Sequence, residues 1–149
     1  MNQKGFTLVE LVLVIVILGI LAAFIIPRFV SLDSKTRVAT VDAMKGNVLS
    51  SAMMVHTMAL AENQADPTGT ITSEGYMIDL AYGYPKRIAA MAGHYGIDGI
   101  LSDMAGFNYT PGTGTFQLNG TVGNCNVVYT EPNGTTSVVP SVVANTGDC

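Results

Sequence analysis

Glu10 is the residue whose type and position most demand a chemical account. Residues 5–29 read Gly5-Phe6-Thr7-Leu8-Val9-Glu10, then sixteen uncharged residues to Ile26, then Pro27-Arg28-Phe29. A carboxylate at membrane depth costs about 2.5–3.5 kcal/mol on insertion scales, so it needs a partner or a task. No Lys or Arg lies between Lys4 and Arg28 to neutralise it. The cation that fits is an α-amine, uncovered on Phe6 if the chain is cut after Gly5. At about 4 Å and an effective dielectric near 20, the two charges would attract by roughly 4 kcal/mol, enough to offset that insertion cost. Phe6 and Glu10 are four residues apart, so the pair could close within one helix or between two copies.

No other group of residues forms a catalytic set. His56 lies among Met53, Met54 and Met58, and His94 follows Gly93, each without a plausibly placed Ser or Cys. The acidic residues are too dispersed for a carboxylate pair or a calcium loop. The expectation is a non-enzymatic protein with no cofactor and no metal. Asn108-Tyr109-Thr110, Asn119-Gly120-Thr121 and Asn133-Gly134-Thr135 all fit the glycosylation sequon, but two of them are Asn-Gly turns for which turn chemistry is explanation enough.

The elements that must position these residues begin with a long helix. Phe6 to Ile26 is an apolar stretch which, at 1.5 Å per residue, makes roughly 31 Å, the thickness of a hydrocarbon core. After Pro27-Arg28, Val41, Met44, Val48, Ala52, Val55 and Ala59 recur at three- and four-residue steps, one face of an amphipathic helix. The pattern ends near Glu62, where Asn63 and Asp66-Pro67-Thr68-Gly69 follow. Pro27 lacks a backbone donor and is expected to kink the helix, with Gly19 a second weak point. Further on, Pro85–Gly93 and Ile97–Ala105 read as short helices. Thr115–Leu118, Asn119-Gly120 and Thr121-Val122 read as a two-residue hairpin. Val127–Tyr129 and Ser137–Val139 flank a second turn at Glu131–Gly134. The expected fold class is α+β, a long N-terminal helix packed on a small antiparallel sheet. Four parts follow: 1–5, a leader; 6–29, the apolar helix; 30–62, the amphipathic spine; 63–149, a head.

Charge limits the partners. All seven basic residues lie in 1–87, and residues 88–149 hold Asp98, Asp103, Glu131 and Asp148 with no Lys or Arg. A phosphate-binding surface needs clustered cations, so nucleic acid is not expected as a partner. An ordinary secretory signal accounts poorly for a run this long with Glu10 inside it, and a plain membrane anchor explains neither Gly5-Phe6 nor Glu10.

Lys4-Gly5-Phe6-Thr7-Leu8-Val9-Glu10-Leu11 resembles the processing signal of type IV pilins and pseudopilins, closely over residues 1–28 and loosely beyond. The resemblance implies a membrane peptidase that cuts between Gly5 and Phe6 and methylates Phe6. It implies assembly of copies into a helical filament, with Glu10 setting register and the Gly19–Pro27 stretch loosening as subunits pack. It implies a single-pass inner-membrane precursor with its head outside the cytoplasm, handled by pilus assembly machinery and exported as an extracellular pilus. The fibre would attach to host or environmental surfaces, with glycans among the candidate receptors. In that compartment Cys125 and Cys149 are expected to form a disulfide, and closing a loop of about 25 residues contributes roughly 3.5 kcal/mol. Gly83-Tyr84-Pro85 and the late cysteine loop are most similar to the mannose-sensitive haemagglutinin pilins of marine gammaproteobacteria. The alternatives are the major pseudopilin of a type II secretion system and a DNA-capturing minor pilin.

Overall fold

The computed structural model describes residues 5–88, 90–101, 104 and 106–149, with the backbone alone for Pro27, Phe29 and Val30. One helix, α1, spans Leu8–Ala61 and continues through Pro27. The chain divides into two compact units, one up to Thr36 and one from Arg37 to Cys149.

α1 ends where the sequence offers a residue tolerant of a left-handed backbone. Asn63 has φ 55°, the Asn63 N–H donates to Leu60 O, and the Gln64 N–H donates to Ala59 O at 2.7 Å. These two reversed bonds satisfy carbonyls that the last helical turn would otherwise leave open.

The head contains two sheets. In the first, β1 (Gly69–Ser73) pairs antiparallel with β2 (Tyr76–Ala81), which also pairs with β3 (Tyr84–Pro85) and, in parallel, with β4 (His94–Tyr95). The second is an antiparallel meander of β5 (Phe107–Thr110), β6 (Thr115–Leu118), β7 (Asn126–Thr130) and β8 (Ser141–Asn145). The six-residue stripe of α1 serves both. Val41, Met44, Val48 and Ala52 pack with Phe116, Val127, Tyr129 and Ile97, whereas Val55 and Ala59 pack with Ile71, Ile78 and Leu80. All six stripe residues are buried, so the i, i+3, i+4 pattern identifies the face that the sheets cover.

The sequence expectations for 85–105 need correction. Pro85 lies in β3, and Ala92 and Gly93 both have positive φ, 51° and 86°, which no right-handed helix admits. Glu74-Gly75 and Tyr82-Gly83 have the same pair of signs. Two-residue turns with both φ positive match the right-handed twist of paired strands, so these X-Gly pairs build a sheet rather than end helices. Ala89 lies outside the described residues. Ile97–Ile100 is a single 3₁₀ turn, ended by extended Leu101, instead of a helix to Ala105. Ser102, Asp103 and Ala105 of that expected helix also lie outside the described residues.

Both C-terminal hairpins are longer than expected. Asn119-Gly120 does make a turn, with Thr121 N–H donating to Leu118 O, but β6 pairs with Asn126–Val128, not with Thr121-Val122. β7 pairs with Ser141–Asn145, not with Ser137–Val139. Side chains explain the first difference. Gln117 Nε2 donates to Thr121 Oγ1 and Cys125 O, and Asn126 Nδ2 donates to Gln117 Oε1 and Gly123 O. Asn145 Nδ2 in turn donates to Asn126 Oδ1 at 2.8 Å. These amides stabilise a seven-residue connection that turn propensity alone cannot foresee.

Residues 82–88 tie the sheets together. Tyr129 Oη donates to Pro85 O at 2.6 Å, Glu131 accepts from the Arg87 N–H, and Gly112 N–H donates to Arg87 O. Tyr84 stacks on His56 of α1 with ring centroids 4.0 Å apart, and His56 Nδ1 lies 3.2 Å from Gly83 O, so that nitrogen carries the proton. His56 is therefore a packing residue that joins helix to sheet.

Candidate functional site

Residues 5–7 lie outside the helix, and Thr7 is its N-cap. The first intrahelical bond runs from the Leu11 N–H to Thr7 O. Thr7 Oγ1 accepts from the Glu10 N–H at 3.3 Å, and Glu10 Oε2 accepts from the Thr7 N–H at 2.8 Å. The Thr7 hydroxyl also donates to that same oxygen, at 2.8 Å. This reciprocal arrangement is a capping box. It satisfies two of the donors that a helix N-terminus leaves open, and it places a carboxylate where the helix dipole favours negative charge.

Two consequences follow for the chemistry of Glu10. Oε2 is occupied by its own cap, while Oε1 takes part in no hydrogen bond among the described residues and is open to an external cation. Phe6 precedes the N-cap, so Phe6 and Glu10 are not a helical i, i+4 pair, and side-chain stacking along one helix face does not bring them together. The Gly5–Phe6 bond lies in a non-helical, exposed stretch, and an added Cβ on Gly5 would meet nothing within 4 Å. Such a bond is accessible to a peptidase without unwinding the helix. Sequence reasoning centred on Glu10 missed Thr7, although Thr7-x-x-Glu10 carries the S/T-x-x-E signature of a helix start.

The helix that follows Glu10, as far as Ile26, presents a bare apolar surface. From Leu8 to Ile26 every large hydrophobic side chain is between 44% and 77% exposed. α1 is long and apolar enough to cross a membrane there. Apolar area left in water costs on the order of 25 cal/mol per Å², so lipid or other apolar helices must cover this surface. A Cβ on Gly19 would meet nothing within 4 Å. No contact among the described residues therefore requires glycine at that position. Pro27 is part of the same helix, where its missing N–H removes one rung of the ladder.

The two cysteines are in the head. Cys125 and Cys149 are joined, with S–S 2.08 Å and Cα–Cα 5.0 Å. Asp148 supports this junction, because its Oδ2 accepts from the Asn124 N–H at 2.7 Å and its own N–H donates to Asn124 O. The chain end is thus held to the start of β7 at both residues.

One unit with its own core and another that is a bare apolar helix led by a carboxylate define a class of protein that completes its burial only in lipid or against other helices. The comparisons agree with that class. Residues 1–26 match the prokaryotic N-terminal methylation motif. The chain is 53% identical over 51 residues to the type IV narrow pilus major component PilA5 of Thermus thermophilus, covering 34% of this chain and 44% of the relative. It is 41% identical over 73 residues to the type IV major fimbrial protein FimA of Dichelobacter nodosus, covering 49% of this chain and 39% of the relative. These matches span about two-fifths of each relative's length. No solved structure matches.

Proposed function

We propose that this chain is a structural subunit of a type IV pilus. A peptidase removes residues 1–5, Phe6 is methylated, and the subunit waits in the inner membrane with its head outside the cytoplasm. Assembly then exchanges lipid for the apolar helices of neighbouring copies, and the heads form the outside of a surface filament used for attachment. The reading rests on one observation above others: an apolar helix with no cover, led by a carboxylate with one oxygen held by Thr7 and the other open. The pilin names of the relatives support it.

In this proposal the Phe6 amine of one copy meets Glu10 Oε1 of another. A copy out of axial step leaves both charges unpaired in apolar surroundings, which is what sets register. Gly19 and Pro27 supply the stretch of helix that yields during packing. The late cysteine loop and the Gly83-Tyr84-Pro85 region support placing the filament with the mannose-sensitive haemagglutinin type.

Electron microscopy of surface-sheared material, with mass spectrometry of its N-terminus, tests the proposal. Filaments made of chains that begin at methylated Phe6 are expected. Glu10→Ala and Glu10→Leu should keep membrane insertion and cleavage but yield no filaments, and Glu10→Asp should yield few. Normal filaments from Glu10→Leu, or filaments of uncut chains, would overturn it.

A further inference from the structure

The tripeptide Asn-Gly-Thr occurs twice, at 119–121 and at 133–135. Asn-Gly is the dipeptide most prone to intramolecular deamidation, because glycine leaves the following amide nitrogen unshielded. That nitrogen attacks the Asn Cγ, an N–Cγ bond forms and the Cγ–Nδ2 bond breaks. Ammonia leaves with the proton from the backbone amide. Water then opens the cyclic imide at either carbonyl, giving aspartate or isoaspartate. No other reactant is needed, and the two sites share the same flanking residues on the C-terminal side. Local sequence therefore cannot rank them.

The structure separates them at each reacting atom. Asn133 Oδ1 accepts from the backbone N–H groups of Thr135, Thr136 and Ser137 at 3.0–3.1 Å, and its Nδ2 donates to Thr136 Oγ1 at 2.6 Å. The would-be nucleophile, the Gly134 N–H, donates to Ser137 O at 3.1 Å. Gly134 also lies under the Tyr82 ring, where an added Cβ would fall 2.0 Å from a ring carbon. The side chain, the nucleophile and the glycine are all held. At the other site, Asn119 and Gly120 are exposed and a Cβ on Gly120 would meet nothing within 4 Å. Among the described residues no hydrogen bond holds the Asn119 side chain or the Gly120 N–H.

We propose that Asn119 is a deamidation site of the folded protein and that Asn133 is protected by its loop. Conversion of Asn119 adds one negative charge at an exposed bend of the head. The isoaspartate product also lengthens the backbone inside the turn closed by Thr121 N–H to Leu118 O. That turn carries Thr121 Oγ1, which donates to Leu118 O and accepts from Gln117 Nε2, the same nitrogen that donates to Cys125 O. The modification is thus transmitted to the connection before the disulfide, as a slow and irreversible alteration of one head surface.

Full-length chain in detergent micelles, incubated in mildly alkaline buffer made with heavy-oxygen water and read by peptide mass spectrometry, tests this. Asn119 should take up label at least about tenfold faster than Asn133, since several hydrogen bonds must break together at the latter. In strong denaturant with the disulfide reduced, the two rates should converge. Gly120→Ala should slow the first site in the folded chain without altering the second. Equal rates in the folded chain, faster reaction at Asn133, or protection of both sites would overturn the assignment.

Discussion

At the residue scale, the pairing of Thr7 with Glu10 turns a costly acid into part of a helix start. The carboxylate keeps its charge and its open oxygen, but two hydrogen bonds from Thr7 already hold the other oxygen. Replacing Thr7 by Val keeps the backbone donor but removes the hydroxyl that accepts from the Glu10 N–H. Loss of an N-cap side chain costs about 1 kcal/mol. Hydrogen exchange at the Glu10 amide, measured in detergent, should accelerate by roughly fivefold in Thr7→Val and remain unchanged in Thr7→Ser. An unaltered rate in Thr7→Val would mean that the hydroxyl does not cap the helix.

At the element scale, α1 has one stripe and two sheets to satisfy. The upstream part of the stripe meets the β5–β8 meander, with Phe116 wholly buried in that contact, and the downstream part meets the β1–β4 sheet. Phe116→Ala should destabilise the head by about 3–5 kcal/mol through lost burial and the cavity left behind. Met54→Ala, on the exposed face of the same helix, should cost less than about 0.5 kcal/mol. Denaturant unfolding of the full chain in detergent separates the two. Comparable losses would show that the stripe does not carry the helix-to-sheet contact.

At the scale of the whole head, buried Tyr129 and half-buried Tyr109 give it an alkaline limit. Burial pushes the Tyr129 hydroxyl well above the ordinary phenol range, with the Glu131 carboxylate adding to the rise. Burial also raises Tyr109, reinforced by Asp98 and Glu131 and opposed by Arg87. A group whose folded pKa lies above its unfolded value contributes full stability below the unfolded value, near 10 for Tyr. That contribution declines as pH rises above it, because the unfolded chain then loses protons that the folded chain retains. The two hydroxyls differ in one respect: Tyr129 donates to Pro85 O, whereas Tyr109 Oη has no hydrogen-bond partner among the described residues. Tyr109→Phe should therefore be neutral or slightly stabilising near neutral pH, and should move the alkaline unfolding midpoint upward. A pH titration followed by circular dichroism checks both, and an unmoved midpoint would count against the buried-phenol account.

The N-terminal methylation motif, the apolar helix, the buried stripe and the helix end at Asn63 were legible in the chain because each depends on residues within a few positions of one another. A 3.6-residue period or a capping side chain acts locally, so it can be read locally. Thr7 was equally legible, since its partner is three residues away. The architecture of the head was not. Pro85–Gly93 carries a helix-like arrangement of Pro and Gly, yet Pro85 falls in β3 and Ala92-Gly93 makes a turn. Tyr84 stacks on His56 and Pro85 O accepts from Tyr129, residues far off in the chain. The long β6–β7 connection rests on the amides of Gln117, Asn126 and Asn145, which come together only when three strands align. The two Asn-Gly-Thr tripeptides mark the boundary most sharply: alike as sequence, they differ in hydrogen bonding because one loop folds back on Tyr82 and the other faces solvent.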